Sequence, residues 1–210
     1  MKKRYVYVDT ETGGLDPKHN GITEIAAIGF DFDPETCRVD NLVEWNRLIR
    51  PEPTLSYTPY ALEIQDRTLQ YLNRVGEDER IALVEFEGFV LSQLTLGHPN
   101  DYQNTLMAHY AQFDYDFIAE VNRRFDNRRF EDTIFRPGKR CEWLCTKNMF
   151  RMLYGLGIVA IGSSGLDDIV RYYGITVSGK VHNALTDARL GIEVFRHMVR
   201  DLKQYYGGKK

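Results

Sequence analysis

The order of apolar runs in this 210-residue chain predicts an α/β domain built on a mixed sheet. Two observations carry that reading. Three β-branched and aromatic runs come first, separated by turn signals and with no helix between them, which is the mark of an antiparallel meander. The apolar spacing then becomes helical, and two further short strands are interleaved among the helices.

Tyr5 to Val8 is a strand by composition, and Ile22 to Phe32 continues the pattern between Asn20-Gly21 and Asp33-Pro34. Arg38 to Ile49 alternates as a third strand and is closed by Arg50-Pro51. Tyr60 to Leu72 and Glu79 to Leu94 read as helices, the second through Ile81, Val84, Phe89 and Leu91. Thr105 to Ala108 is a short buried strand, followed by a helix from about Gln112 to Arg124. The charged stretch 126–139 reads as a loop or insertion, Trp143 to Cys145 as the last strand, and Lys147 to Tyr154 as a helix. Ser164 is placed to cap a helix over Leu166–Tyr173. In the last helix, Ala184 to about Tyr205, Leu185, Ala188, Ile192, Phe195, Val199 and Leu202 form one core-facing stripe. A single domain over residues 1–205 and a short flexible tail over 206–210 follow from this organisation.

Composition narrows the class without choosing a function. A hydrophobic content of 43% and 12% aromatics is ordinary for a globular protein. The net charge of −3 argues against a large duplex footprint but is compatible with a short single strand held by a local basic rim. Cys37, Cys141 and Cys145 are too few for a disulfide framework, and Cys141 with Cys145 lacks a second ligand pair for zinc, so buried free thiols are expected. No signal peptide and no membrane-length apolar run is visible, which predicts a cytoplasmic protein with no membrane partner.

Chemistry is concentrated in three short motifs: Asp9-Thr10-Glu11-Thr12-Gly13-Gly14-Leu15, His109-Tyr110-Ala111-Gln112-Phe113-Asp114, and His182-Asn183-Ala184-Leu185-Thr186-Asp187. Asp9 and Glu11, two apart on a strand, leave the same face about 7 Å apart. Gly13-Gly14 allows a tight turn and close approach of a ligand to the backbone. Asp114 falls in the first turn of a helix, which by itself suits the helix dipole, whereas Asp116 points elsewhere and is read as surface. Asp187 lies at the margin of the last helix's apolar stripe, and His182 is the one member of the set that accepts a proton near neutrality. Four acids meeting in one cleft require counter-cations, for which two divalent metals are the natural answer.

Taken in order, these motifs resemble the DnaQ-like 3′→5′ exonucleases of the DEDDh type, on the RNase H-like fold. Asp9-Thr10-Glu11-Thr12 with Gly14-Leu15 matches the first exonuclease motif, Ala108-His109 through Phe113-Asp114 the second, and His182-x-Ala184-x-x-Asp187 the third. Histidine five residues before the last acid resembles the DEDDh branch rather than its tyrosine-using sister. Two departures stand out. Tyr110 replaces the asparagine that in relatives helps hold the substrate backbone, so here it offers either a base-stacking surface or core packing. Cys145-Thr146 stands where relatives often have Asp-Thr.

The resemblance implies that Asp9, Glu11, Asp114 and Asp187 hold two Mg²⁺ or Mn²⁺ ions, and that His182 is the general base. It implies that Thr12, Gly13, Gly14, Leu15, His109 and Tyr110 line the substrate, with Leu15 wedged against the last bases. The expected substrate is the 3′ end of single-stranded nucleic acid, DNA first, with release of nucleoside 5′-monophosphates and action alone or with a polymerase in trans. An exoribonuclease of the ribonuclease T or oligoribonuclease kind is the alternative within the chemistry. A nuclease-dead binding module is the alternative outside it.

Overall fold

The computed structural model describes residues 2–95, 106–125, 143–176 and 182–207. The first three apolar runs form strands β1 (Lys3–Thr12), β2 (Ile22–Asp33) and β3 (Arg38–Leu48), paired antiparallel in sequence order. Two short strands, β4 (Leu106–Ala108) and β5 (Leu144–Cys145), add in parallel on the other side of β1, giving the order β3-β2-β1-β4-β5. Strand β1, flanked by partners on both edges, is therefore central.

Alternation along β1 decides which residues meet which helices. Val6 and Val8 face one layer, where they pack with Phe86 and Val90 of helix α3 (Glu79–Thr95) and Phe117 and Ile118 of α4 (Ala111–Arg124). Tyr5 and Tyr7 face the opposite layer, against Ala188, Ile192 and Phe195 of the last helix, Ala184–Gly207. Asp9 and Glu11 continue this second row. The predicted stripe on the last helix faces the sheet from Leu185 to Val199, while Leu202 packs elsewhere, and the helix's other side is buried too. Val194 and Met198 join a third cluster with Phe150 and Leu153 of α5 (Thr146–Gly155) and Ile169 of α6 (Leu166–Tyr173). We label the last helix α7; it runs on through Tyr206 and Gly207.

Three expectations need correction. The single helix over Tyr60–Leu72 is two, α1 (Pro59–Ile64) and α2 (Leu69–Val75). Thr58 and Thr68 each cap a fresh N-terminus, accepting from the amides of Ala61 (3.2 Å) and Tyr71 (3.1 Å), and Asp66 between them has φ of 53°. On α3 the apolar residues run all round the helix, so their spacing does not choose a face. Ile81, Val84 and Leu91 turn outward, and Ala82, Leu83, Phe86, Val90 and Leu94 form the buried side. Ser164 does not cap α6; Gly165 occupies that position without a side-chain bond, and Ser163 bonds Asp168 instead. The stretch 126–139 and Cys141 lie outside the described residues; Cys37 is a buried free thiol as expected, and Cys145 is a free thiol but only half-buried.

A buried polar pair joins α3 to α4 and sets a pH dependence. Glu87 and Asn122 are both buried, with Asn122 Nδ2 donating to Glu87 Oε1 at 3.2 Å. Among the described residues, Glu87 Oε2 and Asn122 Oδ1 have no partner. Burial pushes the Glu87 carboxyl up to about 7, above its ordinary 4.5. A raised carboxyl favours the fold below its unfolded value and loses that contribution as pH rises through 7. Glutamine keeps the acceptor and supplies a permanent N–H donor. Glu87→Gln should therefore leave the melting temperature nearly unchanged at pH 4.5 and raise stability by about 1–3 kcal/mol at pH 8. Equal effects at both pH values, measured by circular dichroism, would contradict this account.

Candidate active site

The site assembles at the C-terminal end of β1. Asp9 and Glu11 project from β1 toward α7, and a register shift directly after Glu11 ends the regular pairing with β2. Asp187, in the first turn of α7, comes down on the same face. Oxygens of Glu11 and Asp187 and a ring nitrogen of His182 lie within 4.8 Å of one another. Asp187 also accepts a hydrogen bond from the His182 backbone amide.

Asp114 arrives from the other layer, over the short end of β4. Its Oδ1 accepts from both the amide (2.9 Å) and the hydroxyl (2.8 Å) of Thr10, the residue between Asp9 and Glu11. Thr10 points to the α4 side because it alternates with its neighbours, so one strand engages all the acids from both faces. Asp116 bonds Gln112 at 2.7 Å and takes no part.

Burial raises every carboxyl in this group, and like charge adds to it at Asp9, Glu11 and Asp187. Asp9 is held well above the ordinary range by burial and then by Asp114, Asp187, Glu11 and Glu24. Burial and Asp187 push Glu11 up to about 8, against the opposing pull of Arg67. Burial takes Asp114 to about 7 despite its bonds from Thr10, and Asp187 to about 6. A cluster so short of positive charge, with open carboxylate oxygens converging, is suited to divalent cations.

The remaining predicted residues separate into two groups. Leu15 stands out at 85% exposed on the turn after β1, and Tyr110 is 53% exposed at the start of α4. Tyr110 lies parallel to Phe113 (centroids 6.3 Å, 13°), with the Lys147 ammonium 4.4 Å from its ring centroid. Thr12, Gly13, Gly14 and His109 are engaged by the protein itself. Thr12 Oγ1 donates to the Gly14 carbonyl at 2.6 Å, and the Gly13 amide and carbonyl bond Gly21 and Thr58. A Cβ at Gly13 would meet the Tyr57 ring at 2.5 Å, and one at Gly14 would meet Asn20 Oδ1 at 2.4 Å. Gly13 is thus required by close approach of the 56–57 backbone and the Tyr57 ring, whereas the space at Gly14 is taken by the Asn20 amide, itself bonded to the Asp16 amide and the Ser56 carbonyl. His109 bonds the Ser164 carbonyl through Nε2 (2.9 Å) and Thr146 Oγ1 through Nδ1 (3.1 Å), and burial lowers its pKa to about 4. Neutral and tied at both nitrogens, it fastens the loop before α6 to the sheet.

Sequence reasoning missed Thr10, Glu24, Arg67 and Asn183. Glu24, fully buried on β2 directly opposite Glu11, accepts from Asn183, Ala184 and Arg67. The signal was available: Glu24 is the one acid within the apolar run Ile22–Phe30.

Comparison with known proteins gives the family and the fold. The PolC-type DNA polymerase III of Thermotoga petrophila is 29% identical over 204 residues, covering 95% of this chain and 12% of the polymerase. Ribonuclease T of Shewanella sp. strain ANA-3 is 27% identical over 206 residues, covering 96% of this chain and 84% of the relative. Among solved structures, E. coli Exonuclease I in complex with a dT13 oligonucleotide superposes with a TM-score of 0.71 at 17% identity. That likeness covers 98% of this chain and 43% of Exonuclease I, and it shows the shared RNase H-like fold. The chain thus spans only a small part of the polymerase and less than half of Exonuclease I. The exonuclease family model RNase_T matches residues 6–195, a stretch that takes in most of β1, all of α4 and the start of α7, and the chain belongs to that family.

Proposed function

We propose that the chain removes nucleotides one at a time from the 3′ end of single-stranded nucleic acid, DNA in the first instance, releasing nucleoside 5′-monophosphates. The observation that carries this is the convergence of Glu11, His182 and Asp187 within 4.8 Å, beside the mutually repelling Asp9 and Asp114. Asp9, Glu11, Asp114 and Asp187 fit two Mg²⁺ or Mn²⁺ ions by number, hardness and excess negative charge. When bound, the ions supply Lewis acidity toward the scissile phosphate and its water.

The protein's own groups do the rest. His182 takes the proton of the attacking water, a step worth typically ~10²–10⁴-fold. Thr10 fixes one oxygen of Asp114 and so orients the other toward the cleft. Leu15 abuts the terminal base. Tyr110 stacks a base further along the strand, and Lys147 beside it meets the backbone phosphate. Tyr110→Ala should therefore raise KM for an oligonucleotide roughly tenfold, within the ~1–3 kcal/mol range of one stacked base, and leave kcat nearly unchanged. A variant with wild-type KM would remove Tyr110 from the strand's path.

The test of the function is degradation of matched 3′-labelled and 5′-labelled single strands of DNA and RNA, with Mg²⁺ or with EDTA. Metal-dependent loss from the 3′ end is expected, and no degradation of either polymer would overturn it. The ribonuclease T relatives support the exoribonuclease alternative, which predicts a DNA-to-RNA rate ratio below one. A relative named DNA polymerase III subunit epsilon supports association in trans with a polymerase, detectable as a stable complex by gel filtration.

A further inference from the structure

Glu24 sits among the site's acids, yet its bonds run away from the cleft. Its Oε1 accepts from Asn183 Nδ2 at 2.9 Å and from Asn46 Nδ2 at 3.3 Å. Its Oε2 accepts from Asn183 Nδ2 (3.0 Å), the Ala184 amide (3.0 Å) and Arg67 (2.5 Å). With both oxygens so occupied, and with Arg67 pairing its charge behind it, Glu24 is a poor cation ligand. What it grips is the start of α7.

Asn183 is the hub of that grip. While its amide nitrogen is held by Glu24, its Oδ1 accepts from the amide and hydroxyl of Thr186 (both 3.2 Å), and its carbonyl accepts from the Asp187 amide (2.9 Å). His182, immediately before it, has φ of 58°, a left-handed conformation that a non-glycine residue adopts only when its surroundings impose it. Among the described residues, its far side is open. A crevice of about 550 Å³ opens there, lined by Leu48, Arg67, Thr68, Tyr71, His182 and Asn183 among others. Among the described residues, hydrogen bonds to Glu24 tie down Asn183 and the Ala184 amide, which follow His182 directly. Since Glu24 lies opposite Glu11 in the β1–β2 register, one carboxylate references the helix carrying Asp187, and the histidine before it, to the strand carrying Glu11.

We infer that Glu24, backed by Arg67 and acting through Asn183, is a positioning residue that holds His182 against Glu11 and Asp187. This rests on the exonuclease reading for its kinetic consequences and on the geometry alone for its structural ones.

The experiment compares Glu24→Gln and Asn183→Ala with the wild type, each with and without His182→Ala. Asn183→Ala leaves the buried Glu24–Arg67 pair intact and so covers the case in which Glu24→Gln does not fold. Misplacement of a catalytic group by about 1 Å costs on the order of 10²-fold, so each single variant should lose roughly 10- to 100-fold in kcat, with KM within threefold. In the His182→Ala background the same substitutions should cost at least about threefold less than they do in the wild type, because the part of the effect exerted through His182 disappears with it and only what passes through Asp187 on the same helix remains. The same fold loss in both backgrounds, or a folded variant with wild-type kcat, would overturn the assignment. Histidine-selective ¹³C NMR supplies a readout independent of turnover, with the His182 ring signal identified by its loss in His182→Ala. Both anchor variants should shift or broaden it, and an unchanged signal would also overturn the assignment. If the wild type degrades no strand at all, the function fails while the NMR comparison still decides the anchor.

Discussion

Asp9→Asn should abolish strand degradation and at the same time make the metal-free protein more stable. Asparagine keeps the size and one acceptor oxygen of Asp9, so what changes is charge. The site loses the carboxylate that its four acidic neighbours, Asp114, Asp187, Glu11 and Glu24, repel most broadly. Cation-borne stabilisation of a phosphoryl transition state is worth several kcal/mol, and a loss of about 4 kcal/mol is a fall of about 10³-fold in rate. The stability effect has the opposite sign. Because the folded protein holds the Asp9 carboxyl above its ordinary 3.8, ionisation opposes folding increasingly as pH rises past that value. The asparagine variant escapes this, so its advantage in EDTA should be larger at pH 8 than at pH 5. Each kcal/mol should appear as about 2–4 °C in melting temperature for a chain of this size. Adding Mg²⁺ should then raise the wild type's melting temperature by mass action and raise the variant's much less. Activity above a tenth of wild type, or a lower melting temperature in EDTA, would contradict the charge-repulsion account.

Much of this arrangement is legible in the amino-acid sequence. The three-strand meander follows from β-branched and aromatic runs broken by Asn-Gly and Asp-Pro, because such turn chemistry admits few alternatives. The facing of Asp9 and Glu11 follows from the two-residue period of a strand, and the sheet-facing stripe of α7 from helical spacing. These are local rules, and nothing in the tertiary structure competes with them. Where apolar residues surround a helix, as on α3, the local rule is silent and the sheet decides: Phe86 and Val90 are buried and Ile81 and Leu91 are not.

What stayed hidden depends on contacts across the sheet. Thr10 reads as a spacer between two acids until Asp114, 104 residues away, is seen bonding its amide and hydroxyl. His109 reads as a substrate ligand until both ring nitrogens are found on Thr146 and the Ser164 carbonyl. The Gly13-Gly14 pair reads as room for a ligand, whereas Tyr57 and Asn20 fill that room. In each case the residue type was noticed and its partner was out of reach, because pairing at such sequence separation is set by the register of β1 against its neighbours.

Gly191 is the sharpest instance, and it gives a prediction on which sequence and structure disagree in sign. It lies in the interior of α7, where alanine is the better helix former by about 1 kcal/mol, so sequence reasoning alone predicts that Gly191→Ala stabilises. A Cβ there would sit 2.1 Å from the Cζ and hydroxyl of Tyr7. Carbon atoms pack at about 3.5–4.0 Å, so the ring or the helix must yield by more than 1 Å. Tyr7 has no room to yield: it is fully buried on β1, and its hydroxyl bonds Thr146 at 3.1 Å. Overpacking costs about 1–3 kcal/mol and more where neighbours are fixed, so it outweighs the propensity gain. We expect a net destabilisation of about 2 kcal/mol, read as a melting temperature lowered by about 4–8 °C. The damage should also reach the chemistry. Tyr7 lies two residues before Asp9 on the same face, and Gly191 one helical turn after Asp187, so forcing them apart separates β1 from α7 where the acids meet. At a temperature where the variant is fully folded its kcat should still fall by roughly tenfold or more, as expected for catalytic groups displaced by a fraction of an ångström to 1 Å. A melting temperature above wild type would mean that helix propensity governs this position and that α7 does not approach β1 as closely as Tyr7 requires.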